Sequence, residues 1–243
     1  LKSIKFNNKN YKYNLIIICT GNNSSLVKKV FTDQKIESRY NETSITTILK
    51  HKTLKNNIAR QIFLDNEILA MLPLSNSKTS IVWSKKNLGI KKNNTYFKKK
   101  LKLYTKNYLQ RISFISEFEF RDLNFLIRKK YYKDRILLFG DALHVIHPFV
   151  GQGFNMILRD LESLEKILRK KINLGLDIGS SDTLLEFSNE KKSSNFIFSV
   201  STNILKDTFS INNTYFKKFR NEVLKVLNKN NFAKNIFYNI ADK

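Results

Sequence analysis

The sequence predicts a mixed α/β (α+β) chain with a partial Rossmann-like part, an antiparallel β-sheet part and carboxyl-terminal helices. Three observations point there. Residues 135–160 pass from an apolar run through a glycine-containing turn into helical spacing of apolar residues. Residues 44–84 alternate apolar and polar positions around short β-rich runs, with a turn at Ser75–Lys78. Residues 184–205 and 215–240 place apolar residues at helical intervals.

The first stretch reads RILLFGDALHVIHPFVGQGFNMILRD. Arg135 to Phe139 is a strand. Gly140 and Asp141 close it with a carboxylate at its carboxyl end. Pro148 and the pair Gly151/Gly153 precede a helix whose apolar spacing runs from Phe154 to Leu168. A carboxylate at a strand end can accept hydrogen bonds from sugar-like hydroxyls. Glycines let backbone approach a ligand and adopt positive φ. A helix start presents unpaired N–H groups and partial positive charge, which suits an anion. The segment is therefore a candidate site for a hydroxyl-rich, anionic ligand. His144 and His147 read as packing and loop hydrogen-bonding residues; no third ligand stands at a metal-binding spacing.

The amino-terminal residues suggest a strand pairing of Ser3–Phe6 with Tyr13–Ile18. Leu15 to Lys28 is an apolar strand followed by a Gly/Asn/Ser turn. The single cysteine, Cys19, falls in that strand and reads as core. Phe114–Ile127 reads as a further strand, broken near Arg121 and Asp122. Leu184–Leu205 reads as a helix with Asp182 as its N-cap. Gly175–Ser181 reads as a linker. Tyr215, Phe216, Phe219, Val223, Val226 and Leu227 share one helical face, and Phe232, Ile236, Phe237 and Ile240 repeat the pattern.

With 243 residues and 42% hydrophobic content, the chain can bury a substantial core. No apolar run reaches the length of a membrane span. The formal net charge is +24, with lysines spread along the whole chain. Biased composition accounts for this first, attraction to an anionic membrane surface second. Nucleic acid comes last as a partner, since no recognised binding module is present. The run Lys98-Lys99-Lys100 reads as a solvated face.

Residues 135–160 closely resemble the second FAD-binding motif of the para-hydroxybenzoate-hydroxylase-like flavoprotein monooxygenases, R-x-x-L-x-G-D-A-A-H-x-x-H-P-x-x-G-Q-G-x-N-x-x-x-x-D. Arg135, Leu138, Gly140, Asp141, Ala142, His144, His147, Pro148, Gly151, Gln152, Gly153, Asn155 and Asp160 match, and Leu143 replaces the second alanine. The resemblance implies that Gly140 and Asp141 bind the ribityl chain of FAD. It further implies that Pro148, Gly151, Gln152 and Gly153 lie along the isoalloxazine. The N–H groups near Gly153 and Phe154 would face the flavin N1/O2 edge, with Asn155 supporting the turn.

Residues 44–84 resemble the ubiquinone-biosynthesis hydroxylases of that group. Thr47, His51, Ala59, Gln61 and Phe63 match, then Leu69 to Leu74, then Ser80 to Ser84; Lys52, Leu54 and Lys55 depart. Residues 15–28 are similar to a third motif, A-D-G-x-x-S-x-V-R, through Gly21, Ser24 and Leu26. Thr20 and Val27 stand where that motif has its acid and base, with Lys28 next to the latter.

The resemblance implies an FAD-dependent monooxygenase that hydroxylates a polyprenylated phenol in ubiquinone biosynthesis with NAD(P)H and O2. It is expected in the cytoplasm, peripheral on the inner membrane face, alongside ubiquinone-biosynthesis protein partners. Thr20, Lys52 and Lys55 keep open a non-catalytic lipid-binding or partner subunit; a flavin dehydrogenase or reductase is a further alternative. The family's opening G-x-G-x-x-G is absent from these residues, and the chain starts at Leu1. It is therefore expected to be the later part of a longer protein, inactive alone. The expected organisation is an FAD-domain remnant at 1–31, a substrate domain at 40–128, the FAD-domain return at 129–172 and a helical region at 180–243.

Overall fold

The computed structural model describes residues 2–32, 35–86, 93–148 and 151–210, together with 215, 218, 222 and 225. It divides into two compact units, one of residues 1–38 and 124–243 and one of residues 39–123. Among the described residues, no helix is long and apolar enough to cross a membrane.

The unit of residues 39–123 is built on an antiparallel sheet. Its strands are β4 (Lys35–Lys50), which enters from the preceding residues, β5 (Arg60–Leu64), β6 (Glu67–Ser75) and β7 (Lys78–Lys86). β5 pairs with β6, β6 with β7, and β7 with β4, in the register Ile45↔Trp83 and Leu69↔Trp83. The β6–β7 turn falls at the expected place. Alternation puts Ile45, Leu49, Leu69, Met71, Ile81 and Trp83 on one face, all buried.

A helix, α2 (Asn94–Thr105), supplies Phe97 and Leu101 to that same core, both 0% exposed. Asn93 caps it, accepting from the Tyr96 N–H at 3.1 Å. Phe97 meets Trp83 edge to face at 5.6 Å between ring centroids. Lys98 and Lys99 are exposed. Beyond α2, β8 (Ser113–Phe114) pairs with β4, and β9 (Glu119–Arg128) follows. The expected strand over 114–127 is therefore interrupted at 115–118 and continuous through Arg121 and Asp122. Asp122 accepts from Thr43 Oγ1 at 3.1 Å, so its charge is served at the sheet surface without ending the strand.

In the other unit, β1 (Lys2–Phe6) pairs with β2 (Lys9–Tyr13), Phe6 opposite Lys9. The expected partner was 13–18. Asn7 and Asn8 take positive φ, 48° and 61°, and close a two-residue hairpin that fixes the nearer partner. β3 (Ile16–Ile18) instead lies parallel to β11 (Ile136–Leu138), which also pairs with β10 (Tyr132–Lys133). α1 (Ser25–Val30) follows β3, with Val27 fully buried. Cys19 lies one residue beyond β3 and is exposed, contrary to the core reading, because the strand ends at Ile18.

Two long helices complete this unit: α3 (Gln152–Asn173) and α4 (Ser181–Ser210). Gly175, at φ +66°, ends the first helical segment, its N–H reaching the Ile172 carbonyl at 2.9 Å. The cap of α4 is Ser180, whose Oγ accepts from the Thr183 N–H at 3.3 Å, and not Asp182, which lies inside the helix. Tyr215 is 84% exposed. The remaining residues of the expected apolar face, Phe216 through Ile240, lie outside the described residues.

Candidate cofactor site

Strand β11 delivers the chain to the site. The Phe139 N–H donates to the Ile18 carbonyl at 3.0 Å, so the end of β11 is held on β3. Gly140 then takes φ +62°, a conformation that favours glycine, and opens a 3-10 turn, Gly140–Ala142. Ala142 and Leu143 are fully buried, whereas Asp141 between Gly140 and Ala142 is exposed. Burial of its neighbours thus presents the Asp141 carboxylate to solvent at the carboxyl end of a strand.

Arg128 fixes the same turn from beneath. Its Nε donates to the Ala142 carbonyl at 2.8 Å and its backbone N–H to the Leu143 carbonyl at 3.1 Å. Arg128 is 5% exposed, and burial pulls its guanidinium pKa below the ordinary value, with Glu37 opposing. A short strand, β12 (His144–Val145), then pairs with the end of β9.

The second half of the site is the amino end of α3. Gly151 is its N-cap, left-handed at φ 70° and ψ 17°, and among the described residues no side chain caps the helix. No acidic residue stands in the first turn. The N–H groups of Gln152, Gly153 and Phe154 therefore keep their donor capacity and the positive helix end is not neutralised locally. A Cβ on Gly151 would meet nothing within 4 Å. Phe154 is 66% exposed and Asn155 is exposed, its Nδ2 donating to Gln152 Oε1 at 3.4 Å. Pro148 is exposed as well. A Cβ on Gly140 would lie 3.9 Å from Ile157 Cδ1, and one on Gly153 would lie 3.6 Å from Ile146 Cγ1. The acidic turn and the first turns of α3 are thus neighbours.

What holds them together is a buried polar chain. His144 Nε2 donates to Asp160 Oδ2 at 2.7 Å, with both side chains 1% exposed. Asn195, from α4, gives its Nδ2 to both Asp160 oxygens at 3.0 Å. The same amide lies 3.4 Å from the Tyr131 hydroxyl. Burial, above all, pushes the Tyr131 phenol up to about 12. Sequence reading gives His144 a packing and hydrogen-bonding role, which its buried bond to Asp160 matches, and includes Asp160 only as a motif position. It missed Arg128 and Asn195, whose one signal is that buried polar residues need partners.

The other two motif segments have mainly structural surroundings. His51 is buried between the Lys52 carbonyl and Thr79 Oγ1, at 3.0 and 2.9 Å, and Asn56 donates to Ser75, Lys78 and Thr79. Together they fasten the 51–59 loop to the β6–β7 hairpin. Lys52, Lys55, Thr20 and Lys28 are exposed, while Val27 sits in the core where the motif has a base.

The strand, turn and helix thus fit a group that carries hydroxyls and negative charge: an exposed carboxylate ends the strand, and the helix that follows has no acidic residue in its first turn. The fold is that of the FAD-dependent monooxygenases. HpxO of Klebsiella pneumoniae, complexed with FAD and uric acid, superposes with a TM-score of 0.71 at 13% identity, covering 99% of this chain and 62% of that one. PqsL of Pseudomonas aeruginosa, a probable FAD-dependent monooxygenase, gives 0.66 at 15% identity, covering 86% and 60%.

A family model described as squalene epoxidase matches residues 12–237, and the chain belongs to that family. Among curated relatives, the mitochondrial ubiquinone biosynthesis monooxygenase COQ6 of Dictyostelium discoideum is 24% identical over a 288-residue alignment, covering 99% of this chain and 58% of that protein. Ubiquinone hydroxylase UbiL of Rhodospirillum rubrum is 28% identical over 178 residues, covering 70% and 41%. The chain spans about half the length of the curated relatives it matches.

Proposed function

We propose that the intact protein is an FAD-dependent monooxygenase of ubiquinone biosynthesis that hydroxylates a polyprenylated phenol with NAD(P)H and O2. The observation that carries this reading is the exposed Asp141 carboxylate at the end of β11, in a turn that neighbours the first turns of α3, whose amino end no side chain among the described residues caps. The names of the relatives supply the substrate class.

Bound flavin supplies the activation of O2 and the transfer of one oxygen atom. The chain's own residues bind and orient. Asp141 accepts hydrogen bonds from ribityl hydroxyls, with Gly140 permitting the turn. Pro148, Gly151, Gln152 and Gly153 line the ring system. The N–H groups of Gly153 and Phe154, at the positive helix end, favour negative charge on the adjoining ring edge. Asn155 steadies the turn through Gln152. The buried His144–Asp160–Asn195 chain keeps turn and helix in register. Peripheral contact with the inner face of a membrane suits the +24 charge and a prenylated substrate.

The test is turnover by the intact protein with flavin, NAD(P)H, a prenylated phenol and isotope-labelled O2. Label in a new ring hydroxyl, with donor oxidation stimulated by the phenol, is the expected result. Donor oxidation without label in the ring would replace hydroxylation by a dehydrogenase or reductase reading.

A further inference from the structure

A cavity of about 400 Å³ lies in the unit of residues 1–38 and 124–243; among the described residues its lining includes Tyr131, whose hydroxyl meets Asn195, but none of the proposed flavin contacts. Four lysines line it: Lys129, Lys130, Lys133 and Lys192. Three of them come from the β9–β10 connection and β10, and the fourth from α4. Among the described residues the lining holds one acid, Asp134, and a hydroxyl from Ser188, which is 8% exposed. The volume lies in the range of small-ligand sites.

We infer that this cavity binds a phosphate-bearing anion. Four lysines against one carboxylate among the described lining residues give the concavity a positive charge balance. Ammonium groups are compact point-charge donors that suit phosphate oxygens, and Ser188 adds a neutral donor beside them. Lys133 Nζ donates to the Val30 carbonyl at 3.3 Å. Lys99, Lys102 and Lys106, of α2 and its end, are exposed like the four cavity lysines but do not line this cavity. β10 pairs antiparallel with β11, Tyr132 opposite Leu137, and Asp141 is not among the described residues that line the cavity. Anion binding here is independent of whether flavin binds at Asp141. A phosphate could belong to a free ligand or to a lipid headgroup; the chemistry is shared.

The experiment uses the intact protein and two probes, inorganic pyrophosphate by calorimetry and vesicle flotation. The vesicles are phosphatidylcholine alone or mixed with phosphatidylglycerol. The cavity variant is Lys129→Gln/Lys130→Gln/Lys192→Gln, and its charge-matched control is Lys99→Gln/Lys102→Gln/Lys106→Gln. A single reversal, Lys192→Glu, serves if the triple variant folds poorly. Wild type is expected to bind pyrophosphate saturably, or phosphatidylglycerol vesicles in preference to neutral ones; the first marks a free phosphate and the second a headgroup. The cavity variant should weaken vesicle binding roughly a hundredfold, at about fivefold per lysine near an anionic surface, while the control stays near wild type. Failure of both probes to bind wild type, or equal losses in the cavity variant and control, would overturn the site.

Discussion

Asp160 Oδ2 accepts from His144 Nε2 at 2.7 Å at a point where both side chains are 1% exposed. Asn195 donates to both oxygens of the same carboxylate. Asp160→Ala would leave an imidazole N–H and an amide without their acceptor in the interior. A loss of about 3–5 kcal/mol is expected in urea unfolding. Asp160→Asn should lose less, because one acceptor oxygen remains. Equal stability of wild type and Asp160→Ala would show that the buried chain does not hold the turn to α3.

Glu67 plays a comparable part in the other unit. Its Oε2 accepts from Trp83 Nε1 at 3.2 Å and from the Tyr104 hydroxyl at 3.1 Å, and Lys85 pairs with Oε1. Glu67→Ala strands three donors and should cost about 2–4 kcal/mol. Trp83 is the only tryptophan and is fully buried, so its emission reports this unit. The variant's emission should shift red at a lower denaturant concentration than wild type.

The ion pair of Arg135 with Asp177 sets a pH dependence. Its hydrogen bonds to Arg135, then the Gly179 N–H, hold the Asp177 carboxyl at about 2, below the ordinary 3.8. A depressed carboxyl pKa stabilises the fold above the unfolded value, and that contribution is lost as pH falls through the folded one. The pair should therefore weaken between about pH 4 and 2. Asp177→Asn should flatten the stability profile in that window and leave its shape near neutrality unchanged.

Gly179 closes the same corner. A Cβ there would lie 1.7 Å from the Asn14 carbonyl oxygen and 2.7 Å from Arg135 Nη1. The nearest obstacle is backbone, which cannot swing aside as a side-chain end can. Gly179→Ala should cost about 3 kcal/mol, at the upper end of overpacking, read as a lower melting temperature. Gly175→Ala, with nothing within 4 Å of its Cβ position but φ +66°, should cost only about 1–2 kcal/mol of backbone strain.

The strand, turn and helix of residues 135–160 were legible because local signals agree there: an apolar run, a glycine at a positive-φ turn and a periodic helix. The Ser75–Lys78 turn was legible for the same reason. Helix α2 was not, because its lysines obscure an apolar face made only of Phe97, Leu101 and Tyr104. The partnership of Asp160 with Asn195 spans 35 residues and leaves no local trace. Ser180 takes the cap because its own N–H donates to the Asp177 carbonyl at 3.2 Å and Thr183 Oγ1 donates to the same carbonyl at 3.0 Å, which sets Ser180 Oγ to accept from the Thr183 N–H. Asn7 and Asn8 carried a hairpin signal that the longer apolar run after Tyr13 concealed.

Asp141 carries the flavin assignment. Its most direct test is the flavin absorbance of the intact protein, purified as wild type and as Asp141→Ala. Wild type should carry FAD, and the variant should retain little of it while unfolding at nearly the same denaturant concentration, since this side chain is exposed. Flavin content unchanged by Asp141→Ala would contradict the assignment.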